Sequence, residues 1–148
     1  SVRDITRQVL HGLGEPGVLL HGVAVKPGKP TILAVANGKP AFGLPGNPVS
    51  AMVIARILLL PTLNFLQSTP VTDAHIVPAE LTRNVASAPG REDYVPVRLE
   101  HHNGKSFAEP VFGKSNLIFT LVRSDGSITV PLNSNGISQG ELVDVHLY

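Results

Sequence analysis

The sequence predicts an α/β segment followed by an all-β domain, and three observations carry that reading. Up to residue 67, runs with helical apolar spacing alternate with short β-branched runs. Beyond it come five short segments of alternating polarity, set between turn-forming pairs at regular intervals. A polar link with a proline, residues 67–72 (QSTPVT), separates the two patterns. The expected domains are residues 1–69, part of an α/β layer, and residues 70–148, a small antiparallel β-barrel.

In chain order, residues 4–13 set Ile5, Val9, Leu10 and Leu13 near helical spacing, with Gly12 and Gly14 where a helix would stop. Residues 18–25 (VLLHGVAV) are nearly continuously apolar between Pro16-Gly17 and Pro27-Gly28, which predicts a buried strand of a parallel or mixed sheet. His21 inside that run predicts a hydrogen-bonded core histidine. Residues 31–36 form a second strand, and Asn37-Gly38, a pair suited to a tight hairpin turn, joins it to an antiparallel neighbour at 40–44. Residues 48–67 place Val49, Met52, Val53, Ile57, Leu60, Leu63 and Leu66 on a helical face that Pro61 should kink or divide. In the second domain strands are expected at 75–81, 93–99, 107–112, 127–132 and 141–147, with turns at Pro89-Gly90, Asn103-Gly104, Asp125-Gly126 and Asn135-Gly136. Residues 116–122 suit one or two helical turns closing an end of the barrel.

Composition narrows the function classes. With 43% hydrophobic and 16% charged residues in 148, the chain is of soluble globular type. A formal charge of +1 and the absence of any Lys/Arg run exclude a general nucleic-acid binder, which works by counterion release from a strongly basic surface. No cysteine is present, which removes disulfides, thiolate metal sites and cysteine nucleophiles and fits a reducing cytoplasm. The N-terminus SVRDITRQVL has neither the basic nor the apolar region of a signal peptide. The longest apolar stretch, 52–60, is interrupted by Arg56 and closed by Pro61, so no membrane partner is expected. The lone methionine is internal, and the chain is read as a fragment of a longer protein.

The chemistry concentrates in residues 26–50, KPGKPTILAVANGKPAFGLPGNPVS. Asn47 is a good N-cap, Pro48 fits the first helical position, and Gly46 lets the backbone turn sharply beside Pro45. Free amides at Val49 and Ser50, with the positive end of the helix dipole, suit phosphate, carboxylate or an oxyanion such as molybdate. The plain alternative is a well-capped helix without a ligand. Lys26 and Lys29 flank Pro27-Gly28 and can aim two ammonium groups to one side; alone, such a turn is merely solvated. The hairpin 31–44 returns the chain toward its starting end, which would bring the lysines and the helix entry together. Asp4 could hold Mg2+ through one carboxylate with substrate phosphate, or simply favour a helix start. Arg91 could reach a phosphate or sit in an exposed turn. The six histidines lack zinc-site spacing, and Ser115 lies in a GKS tripeptide without the upstream glycine of a P-loop.

KPGKP, GKPAFGLPGNPVSA, the pattern GRExYVPV, a Lys-Ser segment leading to Ser-Asp-Gly, and the closing GELVDVHLY occur together in this order. In this the chain resembles the C-terminal half of molybdopterin molybdotransferases, the MoeA and gephyrin E-domain family. The resemblance implies a truncated MogA-like α/β domain with a C-terminal β-barrel, acting in the cytoplasm as a homodimer. It also implies insertion of molybdate into adenylylated molybdopterin (molybdopterin-AMP) with Mg2+ and release of AMP. By position, Lys26 and Lys29 would contact the anionic ligand catalytically. Pro45, Gly46, Asn47, Pro48 and Ser50 would form the pocket floor, and Asp4 would touch the metal. Arg91 and Ser115 would face the partner subunit's active site. The family's GGxSxG loop is absent, and Asn116 stands where a glycine is usual, so the fragment is expected to be inactive alone. Non-catalytic alternatives are a dimerisation or partner-binding module and a stand-alone anion-binding protein.

Overall fold

A computed structural model describes residues 5–70, 75–113 and 119–148. The chain divides into two compact units: residues 1–23 with 28–69, and residues 24–27 with 70–148. The excursion of 24–27 is a difference from the expected division, in which that stretch belongs wholly to the first domain. A short segment joins whichever sheet offers it a strand edge, and here the edge lies in the second unit.

In the first unit, α1 (Thr6–Gly12) packs on a sheet of three strands, β1 (Pro16–His21), β3 (Ile32–Ala36) and β4 (Lys39–Gly43), ordered β1-β3-β4. Both pairings are antiparallel. This corrects the buried parallel or mixed strand expected at 18–25: Leu19, Leu20 and His21 are exposed, and β1 stops before Gly22, whose φ of +99° turns the chain. The hairpin turn is as expected, with Asn37 and Gly38 at φ +51° and +80°. Asn37 also accepts the Glu15 amide through its side chain, at 3.3 Å, and donates its own amide to the Glu15 carbonyl at 2.8 Å. The small core is Leu10, Ile32 and Ala34, with Val18 and Ala41 against it. Gly43 permits the close helix-to-sheet approach, since a Cβ there would lie 2.9 Å from Leu10 Cδ1 and 3.0 Å from Ile32 Cβ.

The long helix runs as α2 (Pro48–Ile54), a π-helical turn (Ala55–Leu59) and α3 (Leu60–Leu66). Pro61 has no N–H and its ring would crowd the carbonyl four residues back, so the preceding turn widens. The Leu60 amide then reaches Ala55, five residues back, and Thr62 Oγ1 donates to the Leu58 carbonyl at 2.7 Å. The expected division at Pro61 therefore takes the form of a π turn. As one helix, Pro48–Leu66 is 19 residues, long and apolar enough by length and composition to cross a bilayer, which the stretch 52–60 alone is not. Core helices of soluble domains meet the same condition, and Arg56 sits in its middle.

The second unit is a closed five-strand barrel formed by β5 (Ile76–Leu81), β7 (Glu92–His102), β8 (Lys105–Pro110), β9 (Gly126–Val130) and β11 (Leu142–Leu147). Around the ring the order is β7-β8-β5-β11-β9, with β9 returning to β7. β7 closes it by serving two neighbours: Asp93 to Val97 pair with β9, and Val97 to His102 pair with β8. Val97 is the pivot and is fully buried. Asp125 secures this crossover, donating its amide to the Val97 carbonyl and accepting the Leu99 amide on Oδ2, at 2.9 and 2.8 Å. One ring contact, β5 with β8, is parallel, and the short β2 (Val25–Lys26) adds in parallel to the outer part of β7. A minor ladder joins β6 (Val85–Ala86) to β10 (Gly136–Ile137). The core is Ala79, Leu81, Val85, Val97, Ala108, Ile128, Val130, Val143 and Val145, supplied by alternate positions of the strands. A last helical turn, α4 (Phe119–Val122), falls within the helix expected at 116–122.

Candidate oxyanion-binding site

The candidate residues fall into two groups, one in each unit. In the first, β3 and β4 pair Ile32 with Gly43, so residues just before β3 and just after β4 lie at one end of the hairpin. Lys29 precedes β3 there and is exposed; Pro45, Gly46, Asn47 and Pro48 follow β4. The Lys29 carbonyl accepts the Val23 amide at 3.0 Å, which ties this turn to the segment after β1. Thr31 fixes the turn before β3, donating both its hydroxyl (2.7 Å) and its amide (3.1 Å) to the Gly28 carbonyl.

At the helix entry Asn47 is extended (φ −79°, ψ 124°) and accepts the Ser50 amide on its side chain at 3.2 Å. Its carbonyl accepts the Ala51 amide at 2.9 Å. Ser50 is buried, and its amide is occupied by the cap rather than free for a ligand as expected. Pro48 offers no N–H, which leaves Val49 as the first-turn amide that Asn47 does not claim. Pro45 is buried and Gly46 is exposed, with open space where a Cβ would stand. Gly46 is not among the positive-φ glycines, so its use here is an uncovered backbone beside the helix start rather than a sharp turn.

The second group centres on Asp93, which sequence reasoning passed over. Its side chain is only 3% exposed. Lys26 Nζ donates to Oδ2 at 3.0 Å and Arg91 Nε to Oδ1 at 2.8 Å, from side chains that are 55% and 40% exposed. The backbone builds this contact: β2 and β7 run parallel with Lys26 opposite Asp93, and the Glu92 amide donates to the Ala24 carbonyl at 2.9 Å. Burial acts to raise the carboxyl's pKa, but the bonds from Lys26 and Arg91 outweigh it and hold Asp93 below the usual carboxylate value. The buried Ser87 hydroxyl lies near enough to favour the ionised form, yet it forms no hydrogen bond of good geometry.

The structure therefore joins Lys26 and Arg91 on one carboxylate, whereas the family resemblance assigned them to different subunits' sites. Asp4 and Ser115 lie outside the described residues. The signal for Asp93 was present in GREDYV: a carboxylate opening an apolar strand two residues after an arginine. Its second partner, 67 residues away, was not readable. Among the described residues there is no group of three or more His, Asp or Glu side chains able to hold a metal, and a Mg2+ ion held by one carboxylate and substrate phosphate needs no such group. Asp93, the buried carboxylate, is already engaged by two cations.

Comparison with known proteins gives two family matches. Residues 1–64 match the "Probable molybdopterin binding domain" and residues 78–148 the "MoeA C-terminal region (domain IV)". A molybdopterin biosynthesis protein of Methanocaldococcus jannaschii is 38% identical over 148 residues, 99% of this chain and 33% of that protein. Molybdopterin molybdenumtransferase 1 of Mycobacterium tuberculosis is 30% identical over 153 residues, covering 98% of this chain and 35% of its own length. The crystal structure of a molybdopterin biosynthesis MoeA protein of Pyrococcus horikoshii superposes with a TM-score of 0.80 at 35% identity, over 97% of this chain and 34% of that one. A Pyrococcus furiosus molybdenum cofactor biosynthesis protein gives 0.74 at 29% identity, over 88% of this chain and 45% of the other. The chain spans about a third of the length of the curated relatives it matches. Matching the probable molybdopterin binding domain and then the MoeA C-terminal region, in that order and over nearly its whole length, this chain belongs to the MoeA family.

Proposed function

We propose that this chain supplies two anion-binding walls of a molybdopterin molybdotransferase, which inserts molybdate into adenylylated molybdopterin and releases AMP. The reading is supported by the β3–β4 register, in which Ile32 pairs with Gly43, so that the segment carrying Lys29 enters β3 at the end where the chain leaves β4 for the Pro45 to Pro48 helix entry. Lys26 and Arg91, each half-exposed, form the second cationic group. Phosphate and molybdate oxygens are acceptors only, and lysine ammonium and arginine Nη groups are the donors they need. The residues here bind and orient these anions and offset their mutual repulsion. Mg2+ would be held through Asp4 together with substrate phosphate, and no step is assigned to it. The complete site requires residues beyond this third of the enzyme, so the 148-residue chain is inactive alone. The functional unit is a cytoplasmic homodimer, in which Ser115 faces the partner subunit's site.

Calorimetric titration of the chain with sodium molybdate and with molybdopterin-AMP tests this. Binding of both is expected, weakened about tenfold or more by Lys26→Ala and by Lys29→Ala, as for loss of a charge-assisted contact. Binding that survives the double substitution unchanged overturns it. A second reading, a non-catalytic dimerisation or partner-binding module, is favoured by one observation: Leu60, Leu63, Phe65 and Leu66 of α3 are exposed apolar side chains.

A further inference from the structure

We propose that Asp93 is a positioning residue that holds Lys26 and Arg91 as one preorganised oxyanion-binding pair. This rests on the functional reading above and deepens it, since neither the family matches nor the relatives assign Asp93 a role.

Three features of the geometry support it. First, the carboxylate uses one oxygen for each cation: Oδ2 takes Lys26 Nζ and Oδ1 takes Arg91 Nε. Each cation is therefore pinned by a single donor. Lys26 keeps two ammonium protons free of Asp93, and Arg91 keeps both Nη groups free of it. Second, the charges do not cancel. Two cations against one anion leave a net positive charge, and it resides on side chains 55% and 40% exposed while the anion is 3% exposed. The cluster turns its positive side to solvent and hides its negative one. Third, the arrangement comes from the backbone, because Lys26 and Asp93 face each other in the parallel β2–β7 register and Arg91 stands two residues before Asp93. Long cationic side chains lose considerable rotamer freedom on binding a ligand. Holding them beforehand removes that cost from the binding step.

Positioning and simple charge balance predict opposite signs. If Asp93 acted only as a nearby negative charge, Asp93→Asn would raise the local charge and tighten oxyanion binding. If it positions the cations, the same change loosens both and weakens binding. The measurement is calorimetric titration of the 148-residue chain with sodium molybdate, wild type beside Asp93→Asn, with thermal denaturation confirming that the variant folds. We expect an affinity loss of about tenfold, and an Arg91 Nε–H proton that exchanges slowly by NMR in the wild type and rapidly in Asp93→Asn. Equal or tighter binding by Asp93→Asn overturns the inference and leaves the functional reading intact. A wild type that binds no molybdate overturns both. Should Asp93→Asn not fold, Asp93→Glu replaces it: the charge and both cations remain while the added methylene displaces the carboxylate from the Lys26 and Arg91 contacts. Weakened binding supports positioning, and unchanged affinity overturns it.

Discussion

The two units divide their apolar residues in opposite ways. The barrel closes on itself, and nine of its residues form one buried cluster, eight from the five ring strands and Val85 from β6. The first unit has a buried cluster of three, Leu10, Ile32 and Ala34, while Ile5, Val9, Leu19, Leu20, Met52, Phe65 and others remain exposed. A ring of strands satisfies both edges of every member, whereas a three-stranded sheet with one helix against it leaves edges and apolar faces uncovered. The barrel is thus the self-sufficient part. The first unit carries the helix entry and Lys29 on a scaffold whose apolar surface calls for a cover.

The largest effect expected from this contrast is in the barrel core. Leu81→Ala, at a fully buried position, should cost about 2–5 kcal/mol and lower the thermal midpoint of the second unit. An Ala substitution at Phe65, which is 83% exposed, should stay within about 0.5 kcal/mol. Comparable losses at both positions, measured by denaturant titration, would break the comparison.

A smaller, pH-dependent contribution comes from Asp93. Its folded-state pKa lies below the unfolded value, so its stabilisation is fully present above the unfolded carboxylate pKa and is lost as pH falls through the folded one. Asp93→Asn should flatten the acid limb of stability against pH. Both cation partners are substantially exposed and screened, which keeps the effect below that of a core cavity. An acid limb as steep as the wild type's would show that other carboxylates carry it.

In the first unit, Asn47→Ala removes the one side-chain cap on α2 and should cost about 1 kcal/mol. The smallest effect on stability, and the most informative about the exposed face, is Phe65→Ser. It should leave folding almost unchanged but reduce self-association, and sedimentation velocity showing a monodisperse wild-type monomer would contradict that use of the face.

Much of the barrel was legible in the sequence because its strands are half-buried and alternate, as in Val143 and Val145 against Asp144. Its turns announce themselves too: Asn103-Gly104 adopts positive φ at both residues, as the pair allows. Three features were not legible. The parallel contact of β5 with β8 depends on ring closure, which no local pattern encodes. The two-residue β2 is defined only by the β7 edge it meets. Asp93 looks like a surface acid until the remote Lys26 is placed against it. Around the site, the capping chemistry of Asn47 and Pro48 was readable because it is local, but the same local reading left the Ser50 amide free when Asn47 itself consumes it.

The proposed anion-binding role of Lys26 and Lys29 is tested most directly by molybdate titration of wild type, Lys26→Ala, Lys29→Ala and the double variant. The account predicts that each single change weakens binding about tenfold and that the double variant binds more weakly than either. Wild-type affinity in the double variant would contradict it.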